Sequence, residues 1–376
     1  MSKIGGGPHN DGEEDGEGEG DKWKGEGTGA AGISKITDFL QHHQLLVLPL
    51  ASCLRCGSPS VTSPDGTPLH GPGAVLRPLM PLWWLSLLAL HLSAGVRLAG
   101  AAVSDSFREC SQFFYMRTAP AGIRGGNLRR ICQRYDDEPR YATLYDASRR
   151  LAVFSAYTFK KTDGRSRVDT PWMYEPQLAS ANENGNMRTL ALSDEADPLI
   201  EESQALLPDY TDAVEYERGP LNPDQHQSSS PDKASTYTLT NVVPLAVDFL
   251  EGPWTGYTHA VRRRLNNFCL GPAYVVTGVT VSGGLSIRRG RDARLAVPDR
   301  VWSAYCCPRY DRHAPYEVRY MLPAYAAYGL NRSGQAVLEV PLKTLESLLK
   351  SHADVESDLA LFHGDCVTEN TAKKKK

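Results

Sequence analysis

The sequence predicts an α+β fold, because segments with strand and helix patterns are mixed without a regular strand–helix–strand alternation. Strand patterns are clearest at 142–146 and 151–159, on either side of a charged turn at 148–150. A run rich in β-branched residues at 273–281 is typical of a buried central strand. The segment 236–240 is a further strand candidate.

Two segments with helical spacing complete the predicted fold class. Residues 259–269 place Val261, Leu265 and Phe268 on one side of a helix. Residues 342–349 follow a proline and form a short amphipathic pattern. No internal repeat is evident, so the sequence favours a single mixed domain over a doubly wound sheet.

Length and composition place this domain within the chain. The 376 residues, 41% of them hydrophobic, suffice for one large domain or two small ones. Residues 1–79 are rich in Gly, Pro and Ser and are expected to be a disordered upstream extension. The ordered domain is expected at 106–366, followed by a basic disordered tail at 367–376. The net charge of −3 does not point to nucleic acid.

An apolar run at 80–101 resembles the core of a signal peptide, and small residues follow it. His91, Arg97 and other polar residues interrupt it before it reaches the about 20 apolar residues of a membrane span. We therefore expect Met80 to be the working start, the mature chain to be secreted, and no stable membrane span. A buried helix or an internal anchor is the alternative interpretation.

The cysteines agree with secretion. Six of the eight follow the apolar run, and an even number suggests three disulfides, with fifteen pairings left open. Cys53 and Cys56 lie upstream, where a zinc site would require a second cysteine pair that the sequence lacks. Asn331 begins an Asn-Arg-Ser glycosylation sequon. The six candidate cysteines are Cys110, Cys132, Cys269, Cys306, Cys307 and Cys366.

Seven short motifs resemble the DNA/RNA non-specific endonucleases of the ββα-metal, or His-Me finger, class. They occur in the family's order over most of the mature chain. The resemblance implies a ββα-metal fold, with a central, mainly antiparallel sheet flanked by helices. The motifs are CSQFFY (110–115), RYATLYD (140–146), YERGPLNP (216–223), TYTLTNVVP (236–244), GPW (252–254), AYVVTGV (273–279) and VPDRVWSAYCC (297–307).

The family's reaction is Mg²⁺-dependent phosphodiester hydrolysis. In its first motif, Asp/Glu-Arg-Gly-His-Leu-x-Pro, the histidine takes a proton from the attacking water. In its second, Thr-Asn-x-x-Pro-Gln-x-x-x-Phe-Asn-x-x-x-Trp, the later asparagine holds the Mg²⁺ that stabilises charge on the phosphate and leaving oxygen.

This sequence departs from both motifs. Pro220 occupies the position of the histidine, and proline has no side-chain proton acceptor. Leu250 occupies the position of the metal-binding asparagine, although Mg²⁺ requires oxygen ligands. Leu245 replaces the family's glutamine. The resemblance therefore implies a degenerate catalytic site at which Mg²⁺ does not bind in the family's manner.

Other site residues match the family. Arg218 corresponds to the arginine beside the scissile phosphate, and Asn241 to an asparagine near the metal. His226 is a candidate replacement base, and Asp248 and Glu251 are candidate cation ligands in an altered arrangement. Glu217 and Asn222 are further residues that the site could recruit.

Two groups of arginines lie outside these motifs. One interpretation is a surface that follows a phosphate backbone, and the other is a solvated helix face and turn. The candidates for nucleic-acid binding are Arg262, Arg263, Arg264, Arg288 and Arg289, with Arg291 and Arg294 nearby.

Three hypotheses about function remain. The first is a secreted family member with impaired or absent catalysis that still binds nucleic acid or another polyanion. The second is a working metal-dependent nuclease with a displaced base. The third is an extracellular protein-binding module whose partner the sequence does not identify.

Overall fold

The computed structural model describes residues 102–190, 197–211 and 213–367. The predicted extension at 1–79, the signal-peptide-like segment at 80–101 and, except for Val367, the predicted tail lie outside these residues. Within them, no helix combines the length and apolarity needed to cross a membrane.

The described residues form an α+β fold, which confirms the predicted class. The helices are α1 (Pro176–Ala179), α2 (Pro198–Ser203), α3 (Pro208–Thr211), α4 (Ser230–Ala234), α5 (Val247–Phe249), α6 (Thr255–Phe268), α7 (Tyr316–Arg319) and α8 (Leu342–His352). The strands are β1 (Val103–Ser104), β2 (Ala121–Ile123), β3 (Leu128–Tyr135), β4 (Glu138–Asp146), β5 (Leu151–Phe159), β6 (Met173–Tyr174), β7 (Arg188–Thr189), β8 (Tyr216–Pro220), β9 (Val242–Ala246), β10 (Ala273–Thr280), β11 (Ser286–Arg289), β12 (Asp292–Ala296), β13 (Arg300–Cys306), β14 (Ala324–Leu330), β15 (Val337–Val340) and β16 (Val355–Ala360).

Eight strands form the central sheet, in the order β1-β3-β4-β5-β10-β13-β14-β15. Every neighbouring pair in this sheet is antiparallel. The strand predicted at 151–159 is β5, and the one predicted at 273–281 is β10, which lies between β5 and β13. The central position of β10 explains its run of β-branched residues, since both of its faces are covered.

Alternation along the strands creates two cores, one on each face of the sheet. Tyr157 of β5 and Val275 of β10 belong to the first core, which also receives the apolar side of α6. Phe154 and Val276, from the same two strands, belong to the second core, where Leu345 and other residues of α8 pack. Both predicted helices, 259–269 and 342–349, therefore cover opposite faces of one sheet.

One predicted strand is wrong. Residues 236–240 form a turn with only an isolated bridge from Thr238 to Met173. The hydroxyl of Thr236 donates to the Lys233 carbonyl, and that of Thr238 donates to the Met173 carbonyl. Such side-chain bonds to the backbone compete with strand pairing and stabilise a turn.

Three disulfides join the six predicted cysteines. Cys110–Cys132 ties the first 3₁₀ helix to β3, and Cys306–Cys366 ties β13 to the last 3₁₀ turn. Cys269–Cys307 joins the residue after α6 to the residue after β13. The last pair fixes the end of the helix that reaches the candidate site.

Candidate functional site

Strands β8 and β9 pair antiparallel, from Tyr216 opposite Ala246 to Pro220 opposite Val242. The chain then continues through α5 and a π-helical segment at Leu250–Trp254 into α6. Two strands followed by a helix form the ββα unit that the resemblance predicts, which we call the finger. Gly219 is required locally, because a Cβ there would lie 2.4 Å from Cδ1 of Leu245.

The buried side chain of Asn241 holds the loop between β8 and β9 through hydrogen bonds. Its side-chain oxygen accepts from the Ser155 hydroxyl at 2.9 Å and from the Asn222 backbone N–H at 3.0 Å. Its amide nitrogen donates to the carbonyls of Asn222 and Thr236, at 3.0 and 2.9 Å. The side chain is fully buried with all these bonds made. The structure thus places Asn241 in the support of the site and gives it no contact with the cleft described next.

A cavity of about 300 Å³ opens beside the finger, and we call it the finger cleft. Pro220 and Leu250 both line it, so the two departures from the family motifs face one space. Both bring side-chain carbon where the family has nitrogen or oxygen. The described residues contain no group of three or more His, Cys, Asp or Glu side chains placed to hold a metal ion. With Pro220 and Leu250 at the two motif positions, the cleft does not fit the family's Mg²⁺ site. The remaining lining residues are Gly164, Arg167, Trp172, Arg218, Pro223, Asp224, Gln225, Thr236, Tyr237, Thr255 and His259.

One wall of the finger cleft combines arginine and aromatic side chains. The Arg218 guanidinium lies 4.8 Å from the centre of the Trp172 ring, and its Nε donates to Glu217 Oε1 at 2.8 Å. The Trp172 and Tyr237 ring centres are 5.5 Å apart. Arg167 adds an exposed guanidinium to the same wall. The wall is therefore positively charged and offers aromatic surface, the two features that a nucleic-acid strand requires.

His226 is not a replacement base. It is buried, and its ring nitrogens make hydrogen bonds of 2.9 Å with the Tyr157 hydroxyl and with the Thr258 carbonyl. Burial lowers the pKa of His226 to about 4. Both ring nitrogens hold the loop against β5 and α6, and neither lines the finger cleft.

The other candidate substitutes are also engaged in the fold. Asn222 Oδ1 accepts from the Gln227 amide at 2.9 Å, beneath the loop. Asp248 accepts from the Ser333 hydroxyl at 2.6 Å, in a different pocket from Leu250. Glu251 is exposed at the start of the π-helical segment, and Glu217 pairs with Arg218. None of these carboxylates lines the finger cleft.

His259 is a cleft residue that sequence reasoning missed. It is half-buried on α6, one helical turn after Thr255, which also lines the cleft. Residues four apart on a helix share a face. The four-residue spacing of Thr255 and His259 is visible in the sequence. It indicates the cleft only once Leu250 is known to begin the π-helical segment that leads directly into α6.

The three consecutive arginines of α6 do not form one binding surface. Arg262 donates to the backbone carbonyls of Thr162 and Asp163 and so holds the loop that precedes β6. Arg264 pairs with Glu339 at 2.7 Å on the neighbouring strand β15. The side chain of Arg263 is exposed. Two of the three arginines thus have partners within the fold, and nucleic-acid binding by this group stays a prediction.

The second arginine group lies on the β11–β12 hairpin, away from the finger cleft. Arg289 pairs with Glu201 and with Asp209, and Arg294 donates to Asp209 Oδ1 at 2.9 Å. These pairs fasten the hairpin to the helices α2 and α3. Arg288 is exposed, and its guanidinium donates to the Arg291 carbonyl. Arg289 is thus a structural residue in this fold.

The predicted glycosylation residue Asn331 is also buried, with only 5% of its surface exposed. Its Nδ2 donates to the carbonyls of Pro244 and Pro298, at 3.0 and 2.9 Å, and its Oδ1 accepts from the Ala246 N–H at 2.7 Å. Two donated bonds use both amide hydrogens. A glycan on Nδ2 would break one of them, and glycosylation at Asn331 stays a prediction.

A ββα finger packed against an antiparallel sheet, with an arginine beside its cleft, defines this chain as a nuclease-like protein. The model of the DNA/RNA non-specific endonuclease family matches residues 122–360. The chain belongs to this family, which confirms the resemblance read from the motifs.

The motifs also resemble endonuclease domain-containing 1 proteins, and two curated relatives confirm this. The protein of that name from Homo sapiens is 34% identical over 232 residues, covering 60% of this chain and 44% of the relative. The one from Mus musculus is 32% identical over 233 residues, with the same coverage. The chain thus spans less than half the length of these relatives. A solved structure of the EndoG/EndoGI complex contains a similar chain, with 14% identity, a TM-score of 0.38, and 59% of this chain and 84% of that chain covered.

Proposed function

We propose that this protein is a secreted member of the non-specific endonuclease family that binds nucleic acid or a related polyanion in the finger cleft. Family-type, Mg²⁺-dependent hydrolysis is impaired or absent. One observation carries this proposal: Pro220 and Leu250 line the same cleft. In the family's reaction, the proton acceptor and the metal ligand act on the same phosphate, so both losses affect one site.

The size of the expected defect follows from the chemistry. A positioned proton acceptor contributes about 10²–10⁴ in rate. A catalytic metal ion stabilises the transition state by several kcal/mol. The two losses strike one site and do not multiply, because residues that act as a unit are non-additive. Either loss alone accounts for a large fall in hydrolysis.

Binding rests on the charged wall of the cleft. Arg167 and Arg218 provide two guanidinium groups beside the aromatic rings of Trp172 and Tyr237. Arginine recognises phosphate through parallel hydrogen bonds, and aromatic rings stack on bases of any sequence. The proposed ligand is therefore a nucleic-acid strand bound mainly through its backbone.

Secretion is supported by the disulfides and by the apolar segment at 80–101, and not by the cleft. The described residues contain three disulfides, which persist in oxidising compartments and are rare in the cytosol. The apolar segment at 80–101 supplies the signal-peptide pattern. N-terminal sequencing of the secreted protein tests this part, since a mature end well before residue 80 contradicts it.

A plasmid-nicking assay tests the loss of catalysis. We expect no nicking above background with Mg²⁺ or Mn²⁺, and measurable Mg²⁺-dependent nicking by the Pro220→His/Leu250→Asn double variant. The matched control is Pro223→His/Leu270→Asn, which introduces the same residue types at a different cleft position and at an exposed leucine. Nicking by the unmodified chain at the rate of the double variant would contradict the proposal.

A salt titration tests binding and separates this proposal from a protein-binding module. Affinity for single-stranded DNA or RNA should fall linearly in a log–log plot against salt. Arg218→Ala should reduce that slope by about 1, because one phosphate contact is lost. Arg312→Ala, at an exposed arginine outside the cleft lining, is the control and should leave the slope unchanged. Absence of salt-dependent binding would favour the protein-binding module.

A further inference from the structure

His259 is the histidine that faces the finger cleft among the described residues, and its ring is free. It lines the same space as Pro220 and Leu250 and is half-buried there. No hydrogen bond within the described part of the chain engages either ring nitrogen, in contrast to His226. An uncommitted imidazole in a cleft is a candidate proton acceptor on geometry alone.

The charges around His259 favour its neutral form. Partial burial lowers the pKa of His259, and the neighbouring Arg262, Arg263 and Arg167 lower it further. Of the other charged or titratable cleft groups, Arg218 is cationic, and Asp224 accepts a hydrogen bond from the Tyr237 hydroxyl at 2.9 Å. A neutral imidazole has a free lone pair, so near pH 7 this residue is ready to take a proton.

RNA requires less from this cleft than DNA does. Hydrolysis of DNA needs an activated water, which the family obtains with its histidine and Mg²⁺. An RNA strand carries its own nucleophile, the 2′-hydroxyl beside each phosphate, so attack is intramolecular. A proton acceptor and nearby cations then suffice, and the finger cleft contains both.

We propose that His259 is a catalytic residue with which this protein cleaves single-stranded RNA in the finger cleft without a metal ion. The inference rests on the proposed function, since the strand must first bind there. His259 takes the proton of a 2′-hydroxyl, the O2′–P bond forms, and the P–O5′ bond breaks. The leaving oxygen takes a proton from water, and the resulting hydroxide accepts the proton that His259 gained. The products are a 2′,3′-cyclic phosphate and a 5′-hydroxyl.

Arg167 and Arg218 have a defined part in this step. Negative charge grows on the phosphate oxygens as the O2′–P bond forms, and fixed cations beside those oxygens stabilise it. Both guanidinium groups line the cleft with His259. Trp172 and Tyr237 provide surface for unpaired bases, which favours a single strand over a duplex.

The test incubates the full chain with RNA and DNA oligonucleotides of one sequence in excess EDTA. We expect RNA cleavage that leaves cyclic phosphate ends, and no cleavage of DNA. An RNA with a single 2′-O-methyl group should resist cleavage at that linkage alone. His259→Gln should slow cleavage by at least about 100-fold. His313→Gln, at an exposed histidine outside the cleft, should cleave like the unmodified chain and controls for contaminating ribonuclease.

The pH profile gives a second readout. Cleavage by the unmodified chain should rise with pH to a plateau, with a midpoint below the ordinary histidine pKa. Intact RNA in EDTA, or equal rates for His259→Gln and the unmodified chain, would overturn the inference. If the strands still bind with a steep salt dependence, only this inference fails. If they do not bind, the proposed function fails with it.

Discussion

The finger cleft and the buried residues around the finger loop differ in how far they follow the family's motifs. We call these buried residues the support; they are Glu175, Asn222, His226, Thr240, Asn241, Phe249 and Trp254. Thr240, Asn241, Phe249 and Trp254 match the second motif, and all four are buried. Leu250, which departs from it, lines the cleft. The matching residues of the second motif are therefore buried, whereas Leu250 and Pro220, which depart from the family motifs, line the cleft beside the matching Arg218.

Leu245 departs from the family motif although it is buried and lies outside the cleft lining. The family has glutamine there, but in this chain the residue is a fully buried leucine packed against Gly219. An apolar side chain at a core position strengthens packing and contributes nothing to a metal site. Leu245 therefore serves the packing of the finger and supplies no ligand atom.

The largest test of this division compares Asn241→Ala with Leu250→Ala. Loss of the Asn241 side chain leaves the Asn222 N–H and the Asn222 and Thr236 carbonyls without these partners in a buried site, whereas the Ser155 hydroxyl keeps Thr143. We expect this change to lower the free energy of unfolding by about 4 kcal/mol. Leu250→Ala, in the half-buried cleft, should cost about 1 kcal/mol.

Urea denaturation with the disulfides intact measures both changes. Equal losses for the two variants would show that the support and the cleft contribute equally to stability, and the division would fail.

The sequence predicted regular elements well where a pattern is long. The largely apolar run at 151–159 matches β5, which is buried on both faces, and the helical spacing at 259–269 matches most of α6, which is buried on one face. The segment 236–240 failed because its threonine hydroxyls bond to the backbone of residues that no local pattern identifies. Motif comparison alone placed Pro220 and Leu250 in one site.

The hydrogen-bond and ion-pair partners of most candidate side chains could not be predicted from the sequence. Consecutive helix residues point about 100° apart, so the separation of Arg262, Arg263 and Arg264 was foreseeable. Their partners on a loop and on β15 were not, since these contacts depend on tertiary packing. The same holds for the two histidines: whether His226 or His259 faces the cleft depends on how the loop packs against β5.

A smaller effect is expected from pH, through His226 in the support. Its pKa is lowered by burial to about 4 in the folded protein, below the unfolded value of about 6.5. The unfolded chain therefore binds a proton first, and stability present above pH 6.5 is lost as the pH falls toward 4. The loss through this group should approach about 3 kcal/mol.

Denaturation measured between pH 4 and 7 checks this effect. His226→Gln should flatten the dependence, since Gln does not titrate and keeps a donor and an acceptor. His313→Gln, at an exposed residue, should not change it. An unchanged slope in His226→Gln would exclude His226 as its source.

A pH effect of the opposite sign concerns Glu175, also in the support. It is fully buried, and neither carboxyl oxygen has a hydrogen-bond partner in the described structure. Burial raises the pKa of Glu175 to about 8, which the nearby Thr240 hydroxyl opposes only in part. The folded protein holds this carboxyl protonated while the unfolded chain ionises it above about 4.5, so stability falls as pH rises from there to about 8.

Glu175→Gln removes that titration and should stabilise the protein at pH 8 by about 4 kcal/mol, with little gain at pH 4.5. Thermal or urea unfolding at the two pH values measures the difference, with Glu251→Gln, at an exposed carboxylate, as the control. An equal effect at both pH values would mean that Glu175 does not titrate between them. The stability contributed by His226 falls in acid, and that contributed by Glu175 falls in base. If both variants flatten the pH dependence of unfolding, that dependence arises in the support and not in the cleft.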